Sequence, residues 1–342
     1  MGEGPTRFLI VSLGSIGRRH LRNLRRRMPD AEIAVLRLSG AGPVEPIEHA
    51  NLILAGMGDV ISFAPDAAII ASPASTHEAI ACKLAEHGIH LLIEKPLACD
   101  AAAASHILDA TCKTGVTCMV GYNLRFKASL LEVRRLLGAR HVGDILSVRA
   151  EVGQYLPSWR PQQDYRKGVS ARAELGGGAL LELSHELDYL VWLFGMPHRV
   201  QCSMGRYSQL EIDVEDLVNI TLEYREPRRL VDVHLDFLQR RAVRQCRFIG
   251  SEGTMLWDAI ADTIALQGMS RRDQDEVLGP FDADANNTYL AELDHFISAI
   301  ANGTAVSPAV AEGLDVLKLI QAARLSAQTG KTIEMEALDN AH

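Results

Sequence analysis

A chain of 342 residues with 47% apolar and 23% charged side chains has a globular make-up and length enough for two domains, each with its own core. Its 35 basic and 43 acidic residues leave a formal charge of -8, which argues against a general nucleic-acid surface but allows a local basic patch for a phosphorylated ligand. Six cysteines, at 82, 99, 112, 118, 202 and 246, form no CxxC pair and share no ligand spacing with histidine, so no metal site is expected and the scatter fits buried thiols in a reducing compartment. The opening MGEGPTRFLIVSLG lacks a basic region followed by a long apolar segment and a cleavage site; neither secretion nor membrane spanning is expected, and the expected location is cytoplasmic.

The first third alternates short apolar runs with helical patterns. RFLIVSL (7–13) reads as a strand, and IGRRHLRNLRRR (16–27) as a helix with Leu21 and Leu24 inward. IAVLRL (33–38) is a second strand, followed by the Gly- and Pro-rich loop SGAGPVEP (39–46). AAIIAS (67–72) is a further strand, and THEAIACKLAEHG (76–88) a helix stopped by glycine. The strand ending at Lys95, an alanine-rich helix (100–113) and VTCMVGY (116–122) complete a βαβ grammar, hence a doubly wound parallel sheet over residues 1–122.

From about residue 123 the pattern changes. HVGDILSVRAEVG (141–153) alternates as a longer strand, YLPSWRPQQDYRKG (155–168) is a polar aromatic loop, and GGGALLELSHELDYLVWLFG (176–195) is helical after its glycines. RVQCSMGRY (199–207), DLVNITLEY (216–224), LVDVHLDFL (230–238) and AVRQCRFIGSEGTMLWD (242–258) stand at hairpin spacing, so residues 123–342 form an α/β domain with a large, mostly antiparallel sheet. Helices over 287–303 and 309–330 end the chain and are available to pack back on the first domain. Exposed alternate faces of the sheet, with Met255 and Trp257, suit a sheet-to-sheet interface in a homodimer or homotetramer.

The turn after the first strand, Ser12-Leu13-Gly14-Ser15-Ile16-Gly17, is a dinucleotide fingerprint with its first glycine replaced by Ser12. Gly14 lets the backbone approach a pyrophosphate, Gly17 permits close helix packing, and the helix N-terminus faces the negative charge. The second strand ends in Leu36-Arg37-Leu38-Ser39 with no acidic residue for the adenosine ribose. Arg37 paired to a 2′-phosphate, with a hydrogen bond from Ser39, favours NADP over NAD; stacking on adenine or pointing to water is the alternative for Arg37. In ASPASTH (71–77), Ala71, Ser72 and Pro73 are compact enough for the nicotinamide half to lie on the backbone, Thr76 is the cap or first turn of the next helix, and His77, like His20, belongs to the site wall or the helix surface. LLIEKPLA (91–98) places Glu94 and Lys95 at the end of a doubly covered strand, where the ligand crevice of an open α/β sheet lies, and Pro96 restricts the backbone of Lys95.

Together SLGSIGRRH, ASPASTHEAI, EKPLA and GYNLRF resemble, in order over nearly the whole chain, the glucose–fructose oxidoreductase/inositol dehydrogenase (Gfo/Idh/MocA) family. The resemblance implies a Rossmann domain followed by an α/β domain whose sheet often mediates oligomers, and oxidation of a secondary hydroxyl of a sugar or sugar derivative, or the reverse. It implies that Lys95 touches the reacting hydroxyl beside the nicotinamide, and that His185 and Asp188 in ELSHELD (182–188) are the family's histidine signature. Family members commonly carry an acidic residue four before the histidine. Leu181 stands there instead, and Glu182 is three before. The long loop and SHELDYLVWLFG are also similar to members that serve bacterial surface-polysaccharide sugar synthesis.

Hydride removal from a carbinol requires loss of the hydroxyl proton. His185 is the natural general base and a protonated Lys95 the stabiliser of alkoxide character, with either open as the formal base. Glu94 supports the cofactor side by orienting the strand end or the lysine. Tyr155, Trp159, Arg160, Tyr165, Arg166 and Arg172, with Arg125 of GYNLRF, combine aromatic faces and guanidinium clamps suited to an acidic or nucleotide-linked sugar; interface packing is the competing reading. A non-catalytic NAD(P)-binding sugar sensor of the same family is the alternative function, against which retention of Lys95 and His185 speaks.

Overall fold

In the computed structural model, which describes residues 4–38, 46–269, 274–282 and 284–339, the short apolar runs of the first third lie side by side as parallel strands. These are β1 (Arg7–Val11), β2 (Glu32–Leu36), β3 (Leu52–Leu54), β4 (Ala67–Ile70), β5 (His90–Glu94) and β6 (Cys118–Gly121), in the order β3-β2-β1-β4-β5-β6. Phe8–Val11, Ala67–Ile70 and Leu91–Ile93 are buried without alternation, as expected of strands covered on both faces. The crossovers are α1 (Ser15–Arg27), α2 (Met57–Phe63), α3 (His77–Ala85) and α4 (Ala101–Thr114). Asp100 caps α4 by accepting from the Ala103 amide. The strand β3 and helix α2 are three and seven residues long, too short to stand out in the sequence.

Beyond these come α5 (Ala128–Gly138), then β7 (Ile145–Gly153), α6 (Ala179–Glu182), α7 (His185–Phe194), β8 (Arg199–Gly205), β9 (Leu217–Arg225), β10 (Arg228–Asp236), β11 (Val243–Gly250), β12 (Thr254–Asp258), β13 (Thr263–Gln267) and β14 (Glu276–Leu278). Helices α8 (Asn287–Asn302) and α9 (Val310–Thr329) and the short β15 (Ile333–Glu334) follow. The second sheet runs β14-β13-β12-β11-β7-β10-β9-β8-β15 and is antiparallel except where β7 meets β10. Its strands alternate: on β10 Val231, Val233 and Leu235 are buried, while Leu230, Asp232 and His234 face the other way.

That alternation corrects one expectation. Met255 and Trp257 are fully buried, opposite Phe248 and Cys246, and the Trp257 indole donates to Ser129 Oγ at 2.9 Å. The period of two puts Thr254, Leu256 and Asp258 on the open face instead. The helix expected after the glycines of 176–195 is two helices: Gly178, at φ 105°, precedes the first, and Leu183 and Ser184 separate it from the second. Two compact units emerge: the chain up to Asn123 with Asn286–Leu317, and Leu124–Ala285 with the chain from Lys318. No helix among the described residues is long and apolar enough to cross a membrane.

Candidate active site

The first unit carries the turn expected to cradle a dinucleotide. Ser12 adopts φ 73°, the left-handed turn that glycine fills in the usual fingerprint, and its amide donates to Leu36 O at 2.9 Å. An added Cβ on Gly17 would collide with the Ser12 carbonyl oxygen and sit 3.5 Å from the Ala71 methyl, so helix α1 can lie this close to β1 only with glycine there. Gly14 is the N-cap, with open space where a Cβ would be. No side chain caps α1 and no acidic residue stands in its first turn, so the amides of Ser15, Ile16 and Gly17 present positive potential to an incoming pyrophosphate. The chain therefore fits a dinucleotide at this turn.

The remaining residues of the cradle stand around the sheet's C-terminal end. Arg37 is exposed one residue past β2; Ser39 lies outside the described residues. Ala71 and Ser72 are buried after β4, with Pro73 half-buried. Ser72 Oγ meets Thr76 Oγ1 at 2.7 Å, and Thr76 bonds back to the Pro73 carbonyl rather than capping α3 with its side chain. His77 is 1% exposed and braces two turns: Nε2 lies 2.8 Å from Ser72 O, and Nδ1 lies 3.1 and 3.2 Å from Pro96 O and Leu97 O. Burial lowers its pKa against the upward pull of those carbonyls and of Glu94.

Lys95 follows the last residue of β5 and joins Pro96 through a cis peptide. Its amide donates to Glu94 Oε2 at 3.2 Å, while Glu94 Oε1 lies 2.6 Å from His20 Nε2. The His20–Glu94 pair is the feature that sequence reasoning left out. The available signal was spacing, since Gly17, His20, Leu21 and Leu24 form one inward stripe of α1.

The second unit carries the histidine signature. His185 opens α7 and is 9% exposed; Asp188, on the same face, is fully buried. Arg125 closes on Asp188 with Nε 3.2 and 3.0 Å from the two carboxylate oxygens and Nη2 2.7 Å from Oδ1. Expected as a substrate clamp, Arg125 instead binds this carboxylate and lies against the Trp192 ring, because a guanidinium this deeply buried needs a fixed counter-charge. Glu182 accepts from Ser170 Oγ at 2.6 Å, and Leu181, at the position where an acidic residue is common, is buried.

The loop residues fall into two sets. Leu156, Trp159, Arg160, Gln163, Tyr165 and Ser170 line a cleft. Trp159 donates to Gln154 O at 3.1 Å and packs edge-on to Phe237, and Arg240 lies 3.6 Å over the Tyr155 ring. Arg166 is held by Asp164 and Glu211, and Arg172 lies 3.6 Å from Asp213. These two clamps are thereby engaged by the chain's own carboxylates. Among the described residues no cluster of His, Cys, Asp and Glu has the arrangement of a metal site.

Residues 6–122 match the Gfo/Idh/MocA oxidoreductase family's NAD-binding Rossmann fold, and residues 134–335 match the same family's C-terminal alpha/beta domain. Inositol 2-dehydrogenase 1 of Saccharopolyspora erythraea is 23% identical, with 96% of each chain covered. Levoglucosan dehydrogenase in complex with NADH and levoglucosan superposes with a TM-score of 0.83 at 20% identity, over 96% of this chain and 99% of that one. The WlbA dehydrogenase from Bordetella pertussis, in complex with NADH and UDP-GlcNAcA, gives 0.79 at 22% identity, over 96% and 98%. The expected preference for NADP is overturned: the matching family domain is NAD-binding, and both of these solved relatives hold NADH. Physically, one exposed arginine past β2 suits adenine or water as well as a 2′-phosphate. With the parallel sheet, the fingerprint turn and the two domain matches in place, the chain belongs to the Gfo/Idh/MocA oxidoreductase family.

Proposed function

We propose that the chain transfers a hydride between NAD and a secondary hydroxyl, or the corresponding ketone, of a sugar or sugar derivative. The observation that carries the reading is the fixing of Lys95: it stands at the crevice end of β5, its amide is held by Glu94, and the carbonyls after it are held by His77. A module that only binds a dinucleotide has no use for a lysine fixed in this way. NAD, when bound, supplies the hydride acceptor or donor. Gly14, Ser15, Ile16 and Gly17 take its phosphates, and Ala71, Ser72 and Pro73 flank its nicotinamide half. His185 and Lys95 handle the hydroxyl proton and the charge developing on its oxygen. Asp188 serves through α7, its charge balanced by Arg125.

The substrate is assigned to the acidic or nucleotide-linked sugars, in keeping with the Trp159–Arg160–Tyr165 cleft and with the UDP-GlcNAcA bound by the similar WlbA dehydrogenase. Residues 1–122 are assigned to the dinucleotide and 123–342 to substrate and to assembly of a homodimer or homotetramer in the cytoplasm, through the open face of the nine-stranded sheet. The test is NADH absorbance with purified protein across free, acidic and nucleotide-linked sugars, with Lys95→Ala and His185→Ala alongside. Each variant is expected to lose about 100-fold or more in kcat. NADH binding without turnover on any sugar would favour the sensor reading instead.

A further inference from the structure

We propose that His20 is a positioning residue for Lys95, acting through Glu94; the proposal rests on the dehydrogenase reading above. His20 lies one turn beyond Gly17 on α1 and is 0% exposed. Its Nε2 is 2.6 Å from one oxygen of Glu94, and the other oxygen accepts the Lys95 amide at 3.2 Å. One buried carboxylate therefore joins the helix behind the phosphate-binding turn to the backbone of the reacting lysine. His20 Nδ1 meets no hydrogen-bond partner among the described residues, and across the 2.6 Å contact Nε2–H donates to the carboxylate.

The carboxylate has little freedom to leave this position. A Cβ added to Gly121 would lie 3.1 to 3.3 Å from Glu94 atoms, so β6 closes one side. Tyr289 of α8 stands edge-on to the His20 ring at 6.1 Å, and Arg19 lies 4.5 Å over the tyrosine's face. The Tyr289 phenol is raised above its ordinary pKa, first by burial and then by the charge of Glu94. A buried imidazole and carboxylate are expensive compared with two apolar side chains of the same shape. Their cost is understandable where the product is a fixed orientation for the next residue, here the amide of Lys95.

The experiment uses two variants of the full chain. His20→Phe keeps a ring and removes the donor, whereas His20→Gln restores a donor. Hydrogen exchange of the Lys95 amide is followed by mass spectrometry without cofactor, together with kcat, KM and NAD affinity. In His20→Phe the Lys95 amide is expected to exchange about tenfold faster while Leu91 and Ile93 in β5 keep their rates. kcat falls about tenfold or more, with NAD affinity within about threefold, and His20→Gln recovers much of the loss. A wild-type exchange rate at Lys95 in His20→Phe would overturn the proposal, as would equal acceleration along all of β5 or an unchanged kcat. If His20→Phe does not fold, Glu94→Gln carries the test, since the two donors meet different oxygens and one of those positions becomes an NH2 that cannot accept. A wild-type protein inactive on every sugar would refute the dehydrogenase reading alone; amide exchange would still decide the role of His20.

Discussion

Removing the guanidinium of Arg125 strands a carboxylate in the interior. The Arg125 and Asp188 side chains are 3% and 0% exposed and share three nitrogen–oxygen contacts between 2.7 and 3.2 Å. Breaking such a pair from one side costs about 3–5 kcal/mol, because the buried charge that remains loses its counter-charge. At about 2–4 °C per kcal/mol for a unit of this size, Arg125→Met is expected to lower Tm by about 6–20 °C. Replacing both sides, as Arg125→Met with Asp188→Leu, is expected to return to within about 1 kcal/mol of the parent, since an apolar pair avoids the desolvation cost. Urea midpoints by circular dichroism, closed as a double-mutant cycle, measure the coupling. A single-variant loss below about 1 kcal/mol, or a double variant as unstable as Arg125→Met, would refute the reasoning and mean that water reaches Asp188 when Arg125 is gone.

Three further outcomes are expected. Ser12→Gly relieves a left-handed backbone at φ 73° that costs an L-residue about 1–2 kcal/mol. Part of that is offset by the freer unfolded chain. A net gain in urea midpoint with NADH affinity retained is expected, whereas a loss of stability would show that the Ser12 side chain matters more than its backbone. Gly17→Ala forces α1 away from the Ser12 carbonyl and should weaken NADH binding at least about tenfold in a fluorescence titration; unchanged affinity would remove this turn from the cofactor site. His77 has a folded-state pKa below its unfolded value because burial disfavours the charged ring. Its favourable contribution is therefore present above the ordinary histidine value of 6.5 and lost as pH falls through the folded value, at up to about 1.4 kcal/mol per pH unit. His77→Gln should flatten the stability-versus-pH curve below that point, and an unchanged slope would show that another group dominates.

Much of this fold was readable because its apolar runs are short and bounded. Phe8–Val11 and Leu91–Ile93 are continuous stretches too brief for helices, and the residues between them fit crossovers. On β9 and β10 a period of two separates Val218, Ile220 and Leu222, or Val231 and Val233, from polar neighbours. The same rule placed on Met255 and Trp257 fixes only that they share a face, not which face is covered. Phe248 and Cys246 opposite them supply that information, and these partners are a hairpin away in sequence. At the site, glycine spacing and EKP stood out because they are local. His20 with Glu94 is a pair 74 residues apart, and Arg125 with Asp188 a pair 63 apart, so which polar side chains neutralise one another appears only on folding. Ser12 shows the opposite case. It departs from the fingerprint in residue type and keeps its backbone shape.

The outer edge of β6 also bears on how the protein is made. The Val120 amide donates to Pro308 O at 2.9 Å, Met119 bridges to Ala309, and Gly313 sits so close to Leu97 and Val120 that a side chain there would collide with them. The nucleotide-binding sheet is thus finished by residues that leave the ribosome long after β6. Until they arrive, β6 has an open row of hydrogen-bonding groups, the kind of edge that recruits strands from other chains. A fragment ending after β6 would keep that edge indefinitely, so cofactor binding by an isolated N-terminal piece is a poor guide to the intact protein. The nascent chain has to protect a half-built sheet through the synthesis of β7 to β14.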